Sequence, residues 1–311
     1  MPGVVTLRTA RSAETGRAVE PFAGVFIATS TPFRADGGVD LDAYAQHCRW
    51  LLDNGADGLV PNGSLGEYQV LTDAERAAIV TTAVEVVGTN GKVVPGVAAA
   101  SGRGSRRWAE HAAEAGAAGV MALPPTGYRA SDEETIVHFR EVAAAGLPVM
   151  VYNNPFDTRI DLTPELVGRI AEIDGVVAVK EFSGDVRRVA EIREVASSLQ
   201  VVCGSDDVAL ESFLMGATGW VAGFANAFPS ETTRLFQLAM EHDFAAAIPL
   251  YRAMLPALRW DARPKFVQAI KLAQELVGRY GGPCRLPRLP LTDAEAASVR
   301  DAVGRITTFS D

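Results

Sequence analysis

Lys180 closes an uninterrupted apolar run, Val176-Val177-Ala178-Val179, and is followed by Glu181-Phe182-Ser183-Gly184-Asp185. A lysine emerging from a packed apolar strand is partly desolvated, which disfavours its ammonium form and lowers its pKa. A neutral amine there can attack a carbonyl and form a Schiff base, whose iminium draws electrons from the neighbouring carbon. The other use of such a lysine is an ion pair at the strand end, with Glu181 or Asp206 as partner. Only four of the 29 basic residues are lysines, so each can be judged by its setting. Lys92 precedes an apolar run, and Lys265 and Lys271 lie on a late helical stretch, so all three read as bland. Arginine could not take the place of Lys180 in an imine, because its guanidinium stays protonated.

Two further positions carry chemistry. Tyr152 also ends an apolar run and is followed by Asn153-Asn154-Pro155. A phenol at that point can shuttle protons as general acid and base, or simply bury its ring and leave its hydroxyl wet. Ser64 stands between Gly63 and Gly66, where backbone N–H groups can face a carboxylate. The alternative is a tight turn that needs glycine. Asn62-Gly63-Ser64 also spells a glycosylation sequon, which a strand end in a cytosolic protein would not use.

These residues need a scaffold that gathers strand ends. Eight short apolar runs recur: 25-VFIATS-30, 58-GLVPNGS-64, 93-VVPGVA-98, 119-GVMALPP-125, 147-LPVMVYNN-154, 176-VVAVKEFS-183, 200-QVVCGSD-206 and 219-GWVAGFAN-226. Each is continuous rather than alternating, the pattern of strands buried on both faces. Helix starts lie between them: Thr72 to Glu75 and Ser131 to Glu134 read as capping boxes, and Pro164 follows Thr163. Helix ends fall near Gly55, Gly88, Gly116, Gly146 and Gly216. Eight strands alternating with helices is the count of a (β/α)8 TIM barrel, an α/β fold whose chemistry sits at the C-terminal ends of its strands. A doubly wound nucleotide-binding sheet would need a glycine-rich turn after the first strand, and residues 29–38 lack one. After the eighth strand only helical periodicity remains, over 231–260, 263–279 and 292–305. The expected organisation is a flexible extension over 1–20, a barrel over 21–240 and a C-terminal helical extension over 241–311.

Composition excludes several function classes. The formal net charge is −9, and no Lys/Arg run forms a basic face, so nucleic acid is not an expected partner. Neither a membrane-length apolar run nor a signal-peptide core is present, so no membrane role is expected. The three cysteines (Cys48, Cys203, Cys284) stand far apart and suit a reducing cytoplasm. The four histidines are scattered without metal-binding spacing, so no metal is expected.

In chain order, the Thr29-Ser30-Thr31-Pro32-Phe33 turn, Gly63-Ser64-Leu65-Gly66-Glu67, Tyr152-Asn153-Asn154-Pro155, Lys180 and Gly204-Ser205-Asp206-Asp207 form a specific set. The set resembles the dihydrodipicolinate synthase/N-acetylneuraminate lyase family of class I aldolases, over residues from about 22 to 305. The resemblance implies a barrel with C-terminal helices, assembled as a homotetramer built from a pair of dimers. It implies a 2-oxo acid substrate, often pyruvate, and no metal or organic cofactor beyond the covalent imine. Carried over by position, Lys180 becomes the Schiff-base lysine and Tyr152 the proton relay. Ser64 becomes the hydroxyl residue of a carboxylate-holding motif, with Gly63 and Leu65 beside it.

Three departures bear on the substrate. The synthase version of the glycine motif usually has two consecutive threonines, where this chain has Ser64 and Leu65. The family's usual arginine two residues after the proline is here Asp157, with Arg159 two further on. The aromatic pair after strand four is replaced by Pro124-Pro125-Thr126-Gly127, with Tyr128 slightly later. An acid at position 157 would repel a dicarboxylate-like aldehyde by roughly a kcal/mol or more. The resemblance therefore implies a lyase that cleaves, condenses or dehydrates a hydroxylated 2-oxo acid, with Asp157, Arg159, Thr126, Tyr128 and Val221 as substrate-facing residues. The alternatives are the genuine synthase, condensing pyruvate with aspartate semialdehyde, and a barrel that binds a 2-oxo acid without turnover.

Overall fold

The computed structural model describes residues 20–310. The extension expected over residues 1–20 therefore lies, up to residue 19, outside the described part. Eight parallel strands form the sheet: β1 (Gly24–Ala28), β2 (Gly58–Val60), β3 (Lys92–Val93), β4 (Val120–Ala122), β5 (Val149–Asn153), β6 (Val176–Glu181), β7 (Gln200–Cys203) and β8 (Gly219–Ala222). Their order is β3-β2-β1-β8-β7-β6-β5-β4, which leaves β3 and β4 on the two edges. Those edges meet. Met121 N–H donates to Pro95 O at 2.9 Å, Val97 N–H donates to Met121 O at 3.0 Å, and Gly96 bridges Met121 in parallel. The sheet is thus a closed (β/α)8 barrel, and closure removes its edges.

Helices α1 (Leu41–Asp53), α2 (Asp73–Val87), α3 (Gly102–Ala115) and α4 (Asp132–Ala143) follow the first four strands. The turn after β5 holds α5 (Pro155–Thr158) and α6 (Pro164–Ile170), and α7 (Arg187–Val195), α8 (Ala209–Leu214) and α9 (Pro229–Met240) follow β6 to β8. Three helices complete the chain: α10 (Phe244–Leu258), α11 (Phe266–Leu276) and α12 (Asp293–Ser310). Both expected capping boxes are formed. Thr72 and Glu75 start α2, and Ser131 and Glu134 start α4, each satisfying two otherwise unpaired N–H groups. The short α5 went unforeseen. Asn154 caps it by accepting from Asp157 N–H at 3.1 Å, and Pro155 supplies the fixed φ of its first turn.

Two expectations differ in detail. The run 93–98 contributes only Val93 to the two-residue β3, because Pro95 has no N–H to extend the ladder. The helical stretch 231–260 is broken between α9 and α10. His242 takes φ +60°, and Asp243 caps the new helix by accepting from Ala246 N–H at 3.1 Å. Every residue of β2, β4, β5, β7 and β8 is buried, which is why those runs are mostly apolar, Asn153 and Gln200 being the buried polar exceptions. No helix among the described residues is long and apolar enough to cross a membrane.

Candidate active site

Register places the two central side chains. In the β5–β6 pair Tyr152 lies opposite Lys180 and Asn153 opposite Glu181. Alternation then sends Tyr152 and Lys180 to one face and Asn153 and Glu181 to the other. The Lys180 amine sits 4.2 Å from the centre of the Tyr152 ring and 5.7 Å from that of Phe182. Gly204 makes room for it, since a Cβ there would stand 2.8 Å from the Lys180 Cε. Lys180 is 5 % exposed, and among the described residues its amine makes no ion pair and donates no hydrogen bond. Burial lowers its pKa, with Asp261 and then Asp206 acting in the opposite direction.

The ion-pair alternative for Lys180 does not hold. Glu181 accepts from Asn153 Nδ2 at 2.9 Å and from Ser183 N–H at 2.5 Å, on the far face. Asp206 is engaged by Trp220 Nε1 at 3.0 Å, Gly223 N–H at 3.1 Å and Phe224 N–H at 2.8 Å. It therefore ties β7 to the end of β8. Tyr152 accepts from Asn154 Nδ2 at 3.1 Å. Burial raises its phenol well above the ordinary value, with Asp261 and Asp157 adding to the effect, so the group keeps its proton in the unliganded site.

The motif after β2 is held from outside the barrel. Thr31 Oγ1 donates to Gly66 O at 2.8 Å, and Ser30 Oγ donates to Gln274 on α11 at 2.8 Å. Glu67, at φ +56°, turns inward and accepts from the Lys271 amine at 2.7 Å. Lys271, bland in the sequence, is thus a buried partner: it also donates to Pro283 O at 2.8 Å and lies 4.6 Å from the Phe33 ring centre. Ser64 Oγ, by contrast, is enclosed without a hydrogen-bond partner among the described residues. An enclosed hydroxyl with nothing to bind suits a site meant for a ligand. Asn62 is buried and donates to Arg76 O at 2.9 Å, which removes the sequon from any glycosylation role.

A cavity of about 560 Å³ opens at these strand ends. Lys180, Tyr152, Gly63, Ser64 and Leu65 line it, with Val221 on its wall and Asp157 at its exposed rim. Three expected substrate-facing residues lie elsewhere. Thr126 lines an adjoining cavity that shares Ser64 and Asp157 with the first. Tyr128 is 54 % exposed on a separate cleft beside Glu134, because the Pro124-Pro125 turn carries it outward. Arg159 caps α5 at φ +57° and points to solvent rather than lining the cavity. Asp261, Arg263 and Arg288 line the cavity but escaped the sequence reading. The only signal was the Asp261-Ala262-Arg263-Pro264 break between two helical stretches.

The dihydrodipicolinate synthetase family model matches residues 21–306. The 4-hydroxy-tetrahydrodipicolinate synthase of Methanothrix thermoacetophila is 32% identical, over 93% of this chain and 98% of its own length. The enzyme of the same name from Acidothermus cellulolyticus is 34% identical, over 94% and 95%. Among solved structures, a dihydrodipicolinate synthase from Bacillus anthracis superposes with a TM-score of 0.87 at 29% identity, covering 91% of this chain and 98% of that one.

Proposed function

Because this chain belongs to the dihydrodipicolinate synthetase family, whose members are lyases of the class I aldolase type, we propose that Lys180 forms the Schiff base with C2 of a pyruvate-type 2-oxo acid. The observation that carries the proposal is the Lys180 amine itself, buried, unpaired and aimed into the cavity beside Tyr152. Tyr152 relays the proton of the substrate hydroxyl. Ser64 Oγ and the backbone amides of Ser64 and Leu65 hold the substrate carboxylate. The iminium is the electron sink, so the chemistry needs no metal or organic cofactor. With the carbanion stabilised, the substrate loses or gains an aldehyde by C3–C4 cleavage or condensation, or loses water from C4. Val221 packs against the oxo acid. Asp157, at the rim, favours a neutral hydroxylated chain over a second carboxylate. A homotetrameric assembly, as the family resemblance implies, accompanies this reading. The cytoplasm is the compartment that suits its three dispersed cysteines.

The names of the relatives favour a second reading, condensation of pyruvate with aspartate semialdehyde. A panel of hydroxylated 2-oxo acids, assayed for pyruvate release and for loss of water, separates the two. Turnover on the panel supports the lyase. Turnover only with pyruvate plus aspartate semialdehyde supports the synthase.

A further inference from the structure

Asp261 follows α10, outside the barrel strands, yet its side chain enters the cavity that holds Lys180 and Tyr152. It reaches in over Gly223. A Cβ at that residue would stand 2.4 Å from Asp261 Oδ1, so the absence of a side chain at 223 is what admits the carboxyl. Two carboxyls therefore attend one lysine, and their surroundings set them apart. Asp206 is held as an acceptor by three N–H donors and is committed to joining β7 to β8. Asp261 makes no ion pair among the described residues, is met by the Asp206 backbone N–H and no side-chain donor, and lines the cavity.

We propose that Asp261 is the proton source and counter-ion of the imine: its carboxylic acid supplies the proton that leaves in water as the Lys180–substrate iminium forms, and the carboxylate left behind balances the iminium charge. The inference rests on imine formation at Lys180. The nitrogen lone pair bonds to C2 and breaks the carbonyl π bond, and the acid protonates the oxygen. The carboxylate then takes one proton from nitrogen, giving the neutral carbinolamine. It returns that proton to the hydroxyl, the C–O bond breaks, and the nitrogen lone pair forms the C=N bond. A neutral amine, a neutral acid and a ketone thus become an iminium, a carboxylate and water.

The electrostatics agree in direction. Burial and then the charge of Asp206 raise the Asp261 pKa well above the usual carboxylate range, while burial lowers that of Lys180. Both shifts run towards the uncharged pair, which imine formation turns into an ion pair. The groups facing Lys180 are Asp261, Asp206, Cys203 and Asp157, and those facing Asp261 are Asp206, Lys180 and Asp207.

The test is the rate at which the full-length enzyme, mixed with pyruvate and quenched with borohydride, acquires the adduct on Lys180, followed by mass spectrometry across a pH series. Asp261→Asn is expected to slow labelling by about a hundred-fold. Its falling pH limb, set by ionisation of the acid, should also be lost, because no acid remains at 261. Formate should restore the rate of Asp261→Ala in proportion to its concentration, which a purely structural residue would not allow. Gly223→Ala, with Asp261 intact but displaced, should also be slow. Wild-type labelling rates and an unchanged pH limb in these variants would overturn the role of Asp261. Absence of any Lys180 adduct in the unmodified enzyme would instead overturn the imine itself.

Discussion

Replacing Lys271 by methionine tests how the C-terminal helices support the site. The Lys271 and Glu67 side chains are 3 % and 0 % exposed, and their charged atoms are 2.7 Å apart. Without the amine, the Glu67 carboxyl keeps the Arg285 N–H at 3.3 Å, the Arg288 guanidinium at 3.8 Å and the Cys284 thiol beside it. Leaving one member of a buried pair uncompensated costs about 3–5 kcal/mol. At roughly 2–4 °C per kcal/mol for a chain of this size, Lys271→Met should lower Tm by about 6–20 °C. Adding Glu67→Gln removes the stranded charge and should recover more than half of that loss. Glu67 lies three residues after Ser64, so KM for the 2-oxo acid should rise in the single variant. Thermal and urea unfolding of the two singles and the double, with KM measured on each, give the answer. A single variant within about 1 kcal/mol of wild type, or a double as unstable as the sum of the singles, would refute the argument.

Other expectations follow from the same geometry. Ser64→Ala should leave stability unchanged, since its hydroxyl has no protein partner, and should raise KM about tenfold through loss of a hydrogen bond to a charged group. Tyr152→Phe should lower kcat by about 10²–10⁴-fold while still allowing the Lys180 adduct to be trapped. Burial pushes the pKa of both His47 and His138 down from 6.5 to about 4. The unfolded chain therefore binds these protons first, and stability should be full above about pH 6.5 and fall as pH drops towards 4. Urea titrations at several pH values check this, and the slope should shrink in His138→Gln.

The barrel was legible because a strand buried on both faces leaves a continuous apolar run with no periodicity to misread. Lys180 and Tyr152 were legible for the same reason, as the polar residues that end two such runs. Pro95 shortened β3 and His242 broke a helix, local backbone effects that hydrophobic pattern does not register. The site's outer parts were harder. Spacing gave the neighbourhood of Arg159 and Tyr128 but not their direction, which the α5 cap and the Pro124-Pro125 turn decide. The Glu67–Lys271 pair spans 204 positions, and Asp261 enters from a break between helices. Neither leaves a local trace, because both depend on how the C-terminal helices fold back over the barrel mouth.

The central claim is that Lys180 is the imine-forming residue. Incubation with pyruvate and borohydride, digestion and peptide mass spectrometry test it most directly. The account predicts a single reduced adduct on the peptide carrying Lys180, absent from a folded Lys180→Arg variant that has also lost turnover by several orders of magnitude. An adduct on Lys92, Lys265 or Lys271 in its place, no adduct with any 2-oxo acid, or an active Lys180→Arg enzyme would contradict it.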